Sequence, residues 1–501
     1  MRRSTDIGSG ANCGWVLGVL LSLGCSAGGK ARALGVVAGP TTPATPSPVL
    51  MQGSEVPPPV VANPESSMPG GFIDDSDVSP ADAVGPGDHS RGLQERQMAC
   101  PGGGTTSVSG TVYIPSGKLP LYNASVYVPD GALQPRTPGV SCNCEVSGTP
   151  IASALTDAEG HFVMRDVPVG DDVPLVIQVG DWRREFKLDT VEACTDNPVP
   201  DQTLRLPSRQ SEGDLPKIAV VTGLADALEC LVRKLGIDAS EFTGPDAGGS
   251  VTLFAGEGGT QRYATANQGA LFPDAQSLWS DVASLSRYDV VLMSCDAHHN
   301  NLTNKTPQAF QAMQDYLNSG GRVFGSHYQE VWFEHGPAPF PSIATFSNQN
   351  DLGTVSGQVT TSFPKGQALS DWLLASGAST SAGQVTIEAA QHTIQTENTA
   401  YSQRWISSAA PKESVQYISA NTPLGASDGE QCGRVVLSDI HLSTGRPGDD
   451  LSDISPAYDF PKGCVTTDFS PQEAVLAFML FDLSACVVPD HVAPTPPTIL
   501  R

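Results

Sequence analysis

Positive charge is what this chain has least of: 28 lysines and arginines stand against 53 aspartates and glutamates, a formal net charge of −25 over 501 residues. Tracking a phosphate backbone needs a basic stripe, and none is visible, so the composition argues against nucleic-acid binding. The acidity otherwise bears on solubility rather than fold. Long apolar runs are also missing, and no segment beyond the first two dozen residues is long enough to cross a bilayer. Cys142-Asn-Cys144 is not a C-x-x-C, so a thioredoxin-type redox reading fails. No H-E-x-x-H occurs, which leaves any metal ligands scattered. The opening Lys217-Ile-Ala-Val-Val221 followed by Thr222-Gly223 carries one glycine instead of G-x-G-x-x-G, so a dinucleotide site is poorly supported.

Turning to what is present, Arg2 and Arg3 make a positive n-region and Trp15–Leu21 an apolar h-region too short to span a membrane, together a secretory signal. Ser22-Leu23-Gly24-Cys25 resembles a bacterial lipobox, with Ser22 where leucine is usual. That resemblance implies Cys25 as the lipidated residue and a lipid anchor as the sole membrane attachment. By the custom of that family Ser26, not being Asp, implies the outer membrane. Plain secretion with cleavage near Ala27 is the alternative. Of eleven cysteines, Cys13 and Cys25 fall in the signal, which leaves nine for an oxidising compartment. Most should pair and the odd number leaves at least one free. Cys142, Cys144 and Cys194 cluster in the first domain, and Cys432, Cys464 and Cys486 in the last. Cys230, on a helix, reads as a buried inert thiol.

Residues 26–104 are rich in Pro, Gly, Ser and acids without apolar periodicity, and read as a disordered tether. Residues 105–207 alternate apolar and polar at Val108–Ile114, Ala124–Val128, His161–Met164, Leu175–Val179 and Asp181–Lys187, with turn signals between, which predicts a small all-β sandwich. Ser109-Gly-Thr-Val112, Ala154–Phe162 and Val167-Pro-Val-Gly170 resemble the carboxypeptidase regulatory-like (transthyretin-like) domain. The resemblance implies a non-catalytic accessory module, of a kind thought to bind glycans or partner proteins. Trp182 and Arg183 would suit a sugar-stacking platform, but core is the commoner place for a tryptophan on a strand.

After a linker at 208–214, strand and helix patterns alternate from Lys217 to His327, which predicts an α/β doubly wound parallel sheet over 215–486. The clearest unit is Tyr288–Cys295, then Thr306 as N-cap with Pro307 at the first helical position, then a Gly320-Gly321 stop and Arg322–His327. Residues 345–431 are weakly periodic and read as insertions on the sheet. Gly433–His441 is a further strand. Ser470, Pro471 and Glu473 open a closing helix, apolar nearly all round and so buried. Residues 487–501 read as a tail.

Parallel strands put their carboxyl ends on one edge, where ligands of open α/β sheets bind. Here that edge gathers Cys295, Asp296, His298, His299, His327, Tyr328 and His441. Ala312–His327 and Gly433–His441 resemble the class I glutamine amidotransferase-like fold, more closely its trehalose-utilisation-type branch. The resemblance implies a nucleophilic thiol at the turn occupied by His327, a histidine base matched by His441 and an orienting acid replaced by Ser443. Without thiol and acid, glutamine hydrolysis is excluded, and Cys295 follows a different strand. Two readings of the site remain. One is a polar crevice, formed by Asp296, His298, His299, His327, Tyr328 and His441, that binds a small molecule or glycan. The other is a metal-dependent hydrolase or isomerase acting on a sugar-like substrate, with zinc or another divalent ion on His298, His327 and His441, aided by His299, Asp296 or Asp439. Its catalytic candidates are His327, His441 and Cys295; His335 is at most a rim residue. A third reading makes the sandwich an adhesion module and the α/β domain a scaffold.

Overall fold

The computed structural model describes residues 92–143, 146–264, 269–442, 459–465 and 467–499. The signal segment, Cys25, Cys144 and the tether up to residue 91 lie outside them. The sandwich strands are β1 (Ser107–Tyr113), β2 (Ser125–Pro129), β3 (Pro150–Leu155), β4 (His161–Arg165), β5 (Gly170–Val179), β6 (Trp182–Val191), β7 (Asp196–Pro198) and β8 (Leu204–Arg205). One sheet has the order β4-β1-β7 with β8 also on β1, the other β3-β2-β5-β6. Inward residues of both, among them Val108, Phe162 and Met164 from one and Val126, Leu175 and Ile177 from the other, share one core. Residues 92–104 belong to this unit instead of the expected tether. Arg96 is buried and donates to the carbonyls of Val169 and Asp171, and Cys100 is bridged to Cys194.

The second part carries β9 (Ile218–Val221), helix α1 (Leu228–Lys234), β10 (Val251–Phe254), α2 (Gln276–Trp279), α3 (Val282–Leu285), β11 (Val290–Met293), α4 (Pro307–Asn318), β12 (Arg322–Ser326), α5 (Val331–Glu334), β13 (Ala344–Val359), α6 (Pro364–Ala375), β14 (Gln384–Glu397), β15 (Gln403–Ser408), β16 (Ser414–Thr422), β17 (Gly433–Ser438) and α7 (Pro471–Ser484). Among the described residues they make a nine-stranded sheet, β10-β9-β11-β12-β17-β16-β15-β13-β14. The first five strands pair in parallel, in the sequence order 2-1-3-4-5 of a flavodoxin-like sheet. The expectation of a wholly parallel sheet with insertions at 345–431 needs correction. β13 to β16 continue the same sheet antiparallel, from β17 through β16 and β15 to β13 and β14. Repeated register shifts between β13 and β14 break the two-residue period, which is why no strand pattern shows in the sequence there.

Helix α4 forms as expected: the Thr306 side chain accepts from the Ala309 amide, and Gly320 takes φ of +105° beyond the last turn. Helix α7 has the expected capping box at Ser470 and Glu473. It is apolar all round because it is covered twice, by the sheet and by the sandwich. Phe478 stacks on Tyr122 of the sandwich with ring centroids 5.5 Å apart and meets Trp372 edge-on, while Phe481 lies against Trp182. Trp182 is therefore core. Arg183, also buried, is ion-paired to Asp214, so the two residues make no exposed sugar platform. The expected tail is also corrected: Asp490 is buried and accepts from Ser419 Oγ and Arg434 Nη2, both at 2.8 Å.

Three disulfides hold the chain: Cys100–Cys194, Cys142–Cys432 and Cys230–Cys464. Cys230 is thus bridged and not the inert thiol expected from its place on a helix. Cys142–Cys432 ties a sandwich loop to the α/β part. Peptide mapping without reduction is expected to recover these three pairs, and a Cys230 that alkylates in the native chain would refute the third. Replacing Cys142 and Cys432 by serine removes a link across 290 residues and is expected to cost about 2–5 kcal/mol in denaturant titrations.

A buried ion pair joins α1 to the start of α7: Lys234 Nζ lies 2.7 Å from Glu473 Oε1. Lys234→Met alone strands the carboxylate and is expected to cost about 3–5 kcal/mol. Adding Glu473→Leu should restore all but the roughly 1 kcal/mol of the lost capping box. Additive losses in the double variant would show that the two groups do not act as a pair.

Candidate functional site

Strand register decides which side chains meet at the carboxyl edge. β11 and β12 pair with Met293 opposite Gly325, and β12 and β17 with Ser326 opposite Ser438. Each neighbour therefore ends within a few residues of the same line. Cys295, His327 and His441 follow these three adjacent strands, and their side chains converge. Cys295 Sγ lies 3.5 Å from His327 Nδ1, and the rings of His327 and His441 stand edge to face with centroids 4.8 Å apart. A different strand thus does not keep Cys295 away from the histidine, contrary to the expectation from chain order alone.

His327 sits at the sharp turn after β12 with φ of +43°, a left-handed conformation uncommon for a residue with a Cβ. Tyr328 stacks on its ring at 3.7 Å. The cluster is sealed: Cys295, His327 and His441 are 0 %, 4 % and 6 % exposed. Burial, helped by the Asp226 charge, pushes the Cys295 thiol well above the usual range. Burial also pulls His327 well below the usual histidine value, aided by the fields of His441 and His299. The resting pair is a thiol beside a neutral imidazole, not an activated thiolate. The Nε2 atoms of both His327 and His441 are buried with no hydrogen-bond partner among the described residues.

Asp226, after β9, had no signal of its own in the sequence. Its carboxylate accepts from the Leu442 amide at 2.6 Å and from Ser326 Oγ, and lies 3.9 Å from His441 Nε2. It pins together the ends of β9, β12 and β17. Glu330 and Glu334 were missed as well. One donor atom each from His299, Glu330 and Glu334 lie within 4.8 Å of one another. Glu330 is buried with neither carboxylate oxygen bonded, and desolvation, followed by the Asp439 charge, pushes its carboxyl well above the usual range. An acid just ahead of the apolar Val331-Trp332-Phe333 was the available hint.

Other candidates lie elsewhere. His298 is exposed, 3.5 Å from Glu257, and outside the Cys295 cluster, so the metal set His298, His327 and His441 does not assemble. His299 is half-buried with its ring edge-on to Tyr328. His335 bonds Asn300 Oδ1 at the surface. Asp439 faces away from the cluster in function: its oxygens accept from the Thr393 amide, Thr393 Oγ1 and the Ile394 amide, which leaves it a structural clamp on β14. Asp296 orders the loop after β11, accepting from Asn301 Nδ2 at 2.9 Å with Lys305 Nζ 3.6 Å away. Burial lowers the Lys305 pKa, opposed by Asp296.

Asp296 also lines the open space at this edge. A polar crevice of about 270 Å³ lies over the ends of β9, β10 and β11, bounded by Thr222, Glu257, Asp296, Asn301, Lys305 and Gln329. This is the switch point of a 2-1-3-4-5 sheet, where the strand order reverses. The expected single crevice around His327 and His441 is therefore two features, a sealed cluster and an open polar cleft. The glycines here serve packing and not phosphate: a Cβ on Gly223 would run into the Cys295 carbonyl oxygen, and one on Gly256 into that of Thr222.

No protein-family profile and no curated protein matches this chain. Solved structures align at low identity. A protein described as ThuA-like from Bacteroides uniformis is 14 % identical over 51 % of this chain and 96 % of its own, with a TM-score of 0.27. A GMP synthase component from Thermoplasma acidophilum is 9 % identical over 54 % and 94 %, with a TM-score of 0.26. A type II cohesin–X-dockerin complex from Acetivibrio cellulolyticus is 18 % identical over 28 % and 78 %, with a TM-score of 0.15. At such scores nothing about ligand or reaction follows from these likenesses.

Proposed function

We propose that this chain is an extracytoplasmic binding protein for a small, uncharged, hydroxyl-rich ligand of the sugar class, taken up in the crevice over β9, β10 and β11. The observation that carries this reading is the crevice itself, placed at the switch point and lined by hydrogen-bonding side chains. Its charged lining is Glu257, Asp274 and Asp296 against Lys305, and Lys305 is already engaged by Asp296. A net negative rim disfavours phosphorylated ligands and suits neutral hydroxyls. Three disulfides and the secretory start support an extracytoplasmic location, and the lipobox-like Cys25 supports an envelope tether. The sandwich then serves as an accessory module of the carboxypeptidase regulatory-like kind. Glutaminase chemistry has no support, because the thiol at this edge is sealed and uncharged.

The test is calorimetric titration of the full secreted chain with glucose, trehalose and their phosphates. Saturable binding of a neutral sugar is expected, with the phosphorylated form weaker. Glu257→Ala with Asn301→Ala should weaken it about tenfold or more, the worth of one or two hydrogen bonds. His441→Ala should leave it unchanged. Absence of binding to any neutral sugar, or loss only in the histidine variant, would overturn the reading.

A further inference from the structure

We infer that Cys295, His327 and His441 together hold a borderline-soft transition-metal ion, zinc by chemical preference, in a site separate from the crevice. One donor atom from each residue lies within 4.8 Å of the other two. Ligand atoms around a tetrahedral zinc stand about 3.5 Å apart, so closing on an ion asks for movements of about an ångström at most. The donor set is one sulfur and two imidazoles, which suits zinc and copper and does not suit calcium or magnesium.

The independent sign is the pair of orphaned nitrogens. His327 Nε2 and His441 Nε2 are both buried and both lack a hydrogen-bond partner among the described residues. Buried polar atoms are nearly always satisfied, and two exceptions in adjoining rings, beside a buried thiol, mark a place where something is to be bound. A cation at the cluster answers for the donor atoms facing it. The outer contacts are those of a supported site: the Asp226 carboxylate lies 3.9 Å from His441 and is fixed by the Leu442 amide, and Tyr328 packs flat on His327. A catalytic thiol–histidine pair is the competing use of the same residues. It needs a substrate path to a sulfur that is 0 % exposed. An ion needs far less room. Binding couples to loss of the thiol proton, so affinity rises with pH.

The test uses the full chain, stripped of metal and titrated with Co²⁺ and then Zn²⁺. One equivalent of Co²⁺ is expected to give a near-ultraviolet thiolate-to-cobalt charge-transfer band, displaced by one equivalent of Zn²⁺. Cys295→Ser should abolish the band, and His441→Ala should weaken binding at least a hundredfold, while His298→Ala changes neither. A wild-type chain that binds no Co²⁺ or Zn²⁺ at micromolar concentration would sink the assignment, as would binding without the thiolate band, which would place the ion at His299, Glu330 and Glu334. Both readouts come from the wild type and hold even where a variant fails to fold. Sugar binding at the crevice uses other residues, so either proposal can fail without the other.

Discussion

A helix that is apolar on every side must be covered on every side, and much of this molecule is arranged to meet that demand. Helix α7 buries Ala474 through Leu483 without an exposed stripe. The sheet alone covers one face. The other needs the sandwich, which supplies Tyr122 and Trp182 to Phe478 and Phe481. The two parts thus share one continuous apolar core. Aromatic contacts of this kind, with the large areas they remove from water, hold such an interface more firmly than a linker could. The same helix reaches the carboxyl edge. Gln472 in its first turn donates to the His441 carbonyl at 2.7 Å and accepts from the Glu388 amide, and Glu473 pairs with Lys234 on α1. The packing that closes the core therefore also fixes the backbone that carries the cluster.

Legibility in the sequence followed the strength of local signals. Tyr288–His327 was readable because strand, N-cap, proline, helix face and glycine stop all agree, and α7 because its capping box and apolar run agree. β13 and β14 were not, since bulges and polar residues erase the two-residue period that would reveal a strand. The disulfides were beyond reach: Cys230 and Cys464 are 234 residues apart, and such pairing depends on the tertiary fold. At the site, histidines at strand ends were visible, but their partners were not. Asp226 and Glu330 gain their meaning only from neighbours on other strands, while His298 looked equal to its neighbour until its exposure was known.

The edge also shows how one sheet offers two kinds of site. Over β9, β10 and β11 the loops part and leave a polar cleft. Over β11, β12 and β17 they close on three donors. The difference lies in what the loops can approach. Gly223 and Gly256 let the turns after β9 and β10 settle onto neighbouring backbone, where any Cβ would collide. That close approach shuts the space above Cys295 and displaces the open volume outward to Glu257 and Asn301. A cleft and a sealed pocket side by side are thus consequences of the same tight turns.

Three disulfides and a retained thiol coexist in this chain, and the physical separation between them is informative. Six cysteines pair, whereas Cys295 stays reduced at the centre of the sheet edge. Oxidation and exchange proceed through the thiolate and need access to sulfur. Cys295 lacks both, since it is fully covered and burial holds its proton on. A cysteine used only to fill space would be equally safe as alanine or valine, without two unbonded imidazole nitrogens nearby. The combination of protection from oxidants with donors left unsatisfied is what a site built around a metal requires, because a thiolate that is coordinated keeps its reduced state without depending on burial alone.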